Sequence, residues 1–188
     1  MLTRVLETNA DWVITIVRIV LGVVFFAHGA QLALGWFGGA GLRNTMRVFR
    51  EQLRMPAPLA LLAVAAEFLG GLGLMVGLLS RVAALGIAMV MLVALIAVHR
   101  KFGFFMNWFG EKQGHGIEYH ILVLALALVV MTKGAGAFSL DQVLYQYVST
   151  QNTVWSPGRY DKNSLSNGRN IVWKGYTRCG ITQKTELS

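Results

Sequence analysis

Apolar residues fill this chain in four long runs separated by polar stretches. The first, Trp12 to Leu34, has Arg18 and His28 as its only strongly polar breaks. Ala57 to Leu79 is interrupted by Glu67 alone and follows Pro56-Ala57-Pro58, where proline suits a helix start. After the minimal turn Ser80-Arg81, Val82 to Val98 carries no polar side chain. The fourth run, Ile117 to Met131, is shorter and admits Glu118, Tyr119 and His120 at its entry. Extended to about Phe138 through small residues, it also becomes long enough to cross. A hydrocarbon core about 30 Å thick takes about 20 apolar residues as helix, and a helix apolar all round belongs in lipid. The pattern predicts an all-α membrane protein, a four-transmembrane-helix bundle over residues 1–149. The first run is too long for a signal peptide and no cleavage site follows it, so it is expected to be a retained span.

Between the first two runs the period changes. Leu42, Met46, Phe49 and Leu53 form a narrow stripe, with Arg43, Arg47, Arg50 and Arg54 one residue later along its edge. This predicts a short interfacial amphipathic helix, its apolar side at the acyl boundary and its arginines on anionic lipid phosphates. Residues 150–188 are rich in Ser, Asn, Gly, Thr and basic side chains without periodicity, and are expected to form a disordered, polar, basic tail.

Composition supports the membrane reading. Of 188 residues, 55% are hydrophobic and 14% charged, whereas soluble domains average about 45–50% and about 25%. A single cysteine, Cys179, excludes a disulfide scaffold, a Cys-rich zinc site and a dithiol relay within one chain. The net charge of +8 comes with no nucleic-acid motif, and its basic residues flank the spans, so nucleic acid is not expected as a partner. Arg43, Arg47, Arg50, Arg54, Arg100, Lys101 and Lys112 lie in the two longer loops, against Arg4, Arg81 and Lys133 near the spans on the terminal side. The positive-inside rule then places the longer loops in the cytoplasm.

Ionisable groups inside spans are costly and normally face the bundle interior. Glu67 lies about 15 Å into its run at 1.5 Å per residue, and its face carries Ala60, Ala63, Gly70 and Gly71, small residues that admit a neighbouring helix. His28 falls at a similar depth, and a His/Glu pair suits proton transfer or ligand binding, so these two are the expected catalytic residues. The plainer alternative is a neutral structural carboxyl. Arg18, Trp36, His99, Phe104, Phe105 and Glu118 complete the expected pocket, although Arg18 shares a packing face with Gly22, Phe25 and Gly29. The aromatics suit a flat ring or an isoprenoid tail, or simple interfacial anchoring. His115, Glu118 and His120 lack the His-Glu-x-x-His spacing of zinc hydrolases, and no metal site is expected.

Several segments resemble the DoxX family of small membrane proteins. These are Arg18-Ile19-Val20-Leu21-Gly22, Phe25-Phe26-Ala27-His28-Gly29 and the Gly35–Leu42 stretch. Ala66-Glu67-Phe68-Leu69-Gly70-Gly71 and Gly77-Leu78-Leu79-Ser80-Arg81 resemble a second signature. His99, Gly103-Phe104-Phe105 and Gly116-Ile117-Glu118-Tyr119 resemble a third, and Gly136-Ala137-Phe138-Ser139-Leu140-Asp141 resembles the family's end. The similarity runs over roughly residues 10–145. It implies a four-helix bundle in a bacterial cytoplasmic membrane. It also implies a link to quinone chemistry, the family being named after a subunit of a thiosulfate:quinone oxidoreductase. No redox centre is visible in the chain, so any electrons come from a partner or a second bound molecule, and whether the chain is itself an enzyme stays open. The competing expectations are a non-catalytic scaffold for a soluble redox partner and a small proton-coupled transporter.

Overall fold

The structure, a computed structural model, describes residues 6, 8, 10–110 and 113–154, with side chains as far as residue 149. Among these residues there are only helices and turns. Helix α1 spans Trp12–Leu34. The Asp11 carboxylate accepts from the Val13 and Ile14 amides at 2.8 and 3.3 Å, satisfying donors a helix start leaves free. Gly35, at φ 76°, ends the helix in the left-handed conformation. Helix α2, Gly41–Glu51, follows a tight turn. Helix α3, Ala57–Val76, begins after Pro56 and stops at Gly77.

Helix α4, Ser80–Ala94, continues through a π-helical segment, Leu95–His99, and a 3₁₀ turn, Arg100–Phe102. Helix α5 is Glu118–Lys133 and α6 is Leu140–Val154. The expected domain boundary at residue 149 thus falls inside α6. The disordered tail expected for 150–188 lies, beyond Val154, outside the described residues.

Buried positions show how the helices meet. On α1 they are Ile14, Thr15, Arg18, Leu21, Gly22, Phe25, Gly29 and Ala30, one face at a spacing of three and four. On α3 they are Ala60, Val64, Glu67, Gly71 and Leu74. The α1–α3 contact is the most extensive in the molecule, followed by α4 with α5 and α3 with α4, while α5 also touches α1. Glycine makes the first contact close. A Cβ on Gly29 would run into the Phe68 backbone, and one on Gly71 into the backbone of Phe26. Leu21, Phe25, Leu74, Ala84, Ile87, Met91, Val123, Ala127 and Val130 fill the centre.

The outward faces stay apolar, with Val13, Ile16, Leu62 and Leu122 among many exposed large hydrophobics. Such a continuous surface is untenable in water. Trp12–Leu34, Ala57–Val76 and Ser80–Phe102 are long and apolar enough to cross a bilayer. Helix α5 has 16 residues, about 24 Å at 1.5 Å per residue, and stops short of that length. Helix α2 covers the predicted amphipathic stretch as far as Glu51, with Leu53 and Arg54 lying beyond its end. It docks through Thr45, which is buried and donates to the Leu32 carbonyl at 3.0 Å, while Leu42 and Leu53 remain exposed.

Candidate functional site

Two polar clusters are buried at opposite ends of the helices. The first lies at the terminal side, where α1 starts and α3 ends. Arg18 is completely buried there. Its Nε donates to the Ala135 carbonyl at 2.7 Å, and its Nη2 to Phe138 at 3.3 Å. Its Nη1 donates to Met75 at 3.0 Å and also to Leu74. A planar guanidinium with donors in a fixed fork fits this set of carbonyls, which a lysine would not. Beside it Asp141, 1% exposed, accepts from the Leu79 and Ser80 amides at 2.6 and 2.8 Å, capping α4 from the start of α6. The Asp141 amide in turn donates to Gly77 at 2.8 Å. Thr15 adds a bond to Ala137 at 2.9 Å. Among the described residues nearly every polar atom in this cluster has a partner, the Ser80 hydroxyl being an exception. It is a fastening that ties α1, α3, α4 and the α5–α6 turn together.

The second cluster lies at the loop side, around the start of α5. Glu67, from α3, is 8% exposed. Among the described residues no hydrogen bond reaches its carboxyl, and it lies within electrostatic reach of Tyr119. The Tyr119 hydroxyl and His120 Nδ1 are buried without a hydrogen-bond partner among the described residues. The His120 ring sits 4.2 Å from the His99 ring, centroid to centroid, and edge-on to Tyr119 at 5.8 Å. Nδ1 of His99 meets the His115 carbonyl at 2.9 Å. His99 ends the π-helical segment of α4, and such segments are rare and frequent at functional sites.

Loop pairing builds this end. The Ile117 amide donates to Gly103 at 3.1 Å and the Glu118 amide to Phe104 at 3.0 Å. The Glu118 carboxylate accepts from the Met106 amide at 3.2 Å. The residues after α4 thereby fold over the start of α5.

The structure brings together only some of the expected site residues. Glu67 and His99 join this cluster. Glu118 is exposed and helps hold the loop. His28 is exposed on α1 and makes no hydrogen bond to Glu67, because the adjacent Gly29 is the residue packed against α3. Arg18 belongs to the fastening at the other end. Trp36, Phe104 and Phe105 are half to two-thirds exposed and border the loop-side surface without enclosing a ring. Tyr119 and His120 are the additions. The signal for His120 was its register, since His120, Val123, Ala127 and Val130 share the buried face of α5. An open cleft of about 670 Å³ lies at the terminal side, lined by Trp12, Val76, Phe138, Leu140 and other residues, none of them titratable.

The family model DoxX matches residues 13–100, which include α1 to α4, Glu67 and His99. Residues 13–100 are a DoxX domain. The DoxX match and the apolar helices suggest a multi-pass membrane protein. A protein of Bacillus subtilis (strain 168) named "Putative oxidoreductase CatD" is 25% identical over 131 residues, covering 70% of this chain and 86% of that protein. No solved structure matches the chain with significance.

Proposed function

We propose that this chain is the membrane subunit of a quinone-linked redox system in a bacterial cytoplasmic membrane. Its ligand site would be the loop-side cluster of Glu67, Tyr119, His120 and His99. Buried polar groups are normally hydrogen-bonded, and among the described residues the Tyr119 hydroxyl and His120 Nδ1 have no partner within hydrogen-bond geometry. That single observation carries the reading. A molecule with two oxygens on a flat ring suits this donor set, with a phenol and an imidazole to bind carbonyls and a carboxyl to hold a proton. A quinone, when bound, would supply the electron chemistry; the chain's own residues bind, orient and hold the proton. The name of the B. subtilis relative, which calls that protein an oxidoreductase, points the same way.

In this reading α5, lengthened by the turn before α6, makes a fourth span. Helix α2 lies in the interface with its exposed arginines on anionic lipids, and a soluble redox partner docks from the loop side to deliver electrons. Binding of a ubiquinone or menaquinone analogue to purified protein, lost in Tyr119→Phe and Glu67→Gln, is the expected result. Unchanged binding in both variants would place the quinone elsewhere, and no binding at all would favour the scaffold role.

A further inference from the structure

We propose that His99, His120, Tyr119 and Glu67 form a proton path that opens on the loop side and ends at Glu67 inside the bundle. It deepens the reading above, since it concerns the same cluster, but it needs no quinone to operate. Three observations carry it.

The first is the row of groups itself. His99 bonds a carbonyl of the exposed residue His115, the two imidazoles lie 4.2 Å apart, and Tyr119 is edge-on to His120. The hydroxyl and Nδ1 that lack a hydrogen-bond partner among the described residues are atoms that a bridging water would satisfy, and water prefers buried sites with several polar neighbours.

The second is the way in. Helix α5 is short, and the backbone before it is an irregular loop closed over the bundle by the Gly103 and Phe104 carbonyls. Irregular backbone at membrane depth persists only where protein buries it or where it lines water.

The third is the closed end. Beyond Glu67 towards the terminal side come Leu74, Ala84, Ile87, Ala127 and Val130, none of them measurably exposed. The next polar group is Arg18, already committed to carbonyls. Other titratable groups do not complete a second exit. On α1 His28 faces outward; on α5 Glu118 is exposed and bonded to Met106.

The test uses the full chain in lipid nanodiscs and follows the Glu67 carboxyl by infrared difference spectroscopy. The band is assigned by its loss in Glu67→Gln. After a pH jump, and separately after transfer to D2O, the wild-type band is expected to respond promptly. Tyr119→Phe and His120→Phe are expected to slow it about a hundredfold, the low end of what a positioned acid–base group contributes. Tyr119→Phe removes one hydroxyl and keeps the ring, so its fold is preserved; His28→Ala is expected to behave as wild type. In sealed vesicles the proton leak should equal that of empty vesicles. An unchanged rate in both path variants, a Glu67 band that neither titrates nor exchanges, or a leak through the protein would overturn the proposal. Normal exchange without quinone binding would sink the quinone reading alone.

Discussion

Arg18 and Glu67 are both charged residue types buried within membrane helices, yet their surroundings differ completely. Every guanidinium nitrogen of Arg18 donates to a carbonyl, while among the described residues the Glu67 carboxyl has no hydrogen bond. Burying a charge is costly unless its hydrogen-bonding capacity is met. The terminal-side cluster meets that cost and gains a rigid junction. Among the described residues the loop-side cluster leaves the Glu67 carboxyl, the Tyr119 hydroxyl and His120 Nδ1 without a hydrogen bond. Burial of an ionisable group therefore does not identify a site by itself; the state of its hydrogen bonds does.

Substitutions can break this contrast. The largest effect is expected for Arg18→Met, which strands the carbonyls of Leu74, Met75, Ala135 and Phe138. A loss of about 4 kcal/mol in unfolding in detergent is expected, with Arg18→Lys recovering less than half because an ammonium cannot span the fork. Gly29→Leu follows, at about 3 kcal/mol, through overpacking against the Phe68 backbone. Its signature is weakened cross-linking between cysteines placed on α1 and α3. Asp141→Asn should cost about 1–2 kcal/mol, because a neutral amide replaces a carboxylate that accepts from two helix-start amides. Glu67→Gln is the smallest, within about 1 kcal/mol in either direction, since no native bond is removed. If Glu67→Gln were as costly as Arg18→Met, the carboxyl would belong to the frame and the contrast would fail.

Sequence spacing made three long apolar helices and the inward direction of Glu67 legible, because helical period and hydrophobicity are local properties. The junction of Arg18 with the α5–α6 turn was not legible. Its bonds join residues 117 and 120 positions apart, and nothing in local spacing records such a meeting. His28 shows the limit of depth as a guide. It lies near Glu67 along the membrane normal, but one step of about 100° around α1 turns it away from the neighbour that Gly29 meets. His120 was readable from register, yet its proximity to His99 depends on a loop whose path no period encodes.

The Asp141 cap has a consequence for biogenesis. The amides of Leu79 and Ser80 must wait for a carboxylate made 62 and 61 residues later. Synthesis proceeds from the N-terminus at about 5–20 residues per second, so the first three hydrophobic segments leave the ribosome several seconds before the latch that secures them. During that interval the amides of Leu79 and Ser80 lack the carboxylate that caps them in the finished fold. A chain that ends before residue 141 would lack this cap at the start of α4.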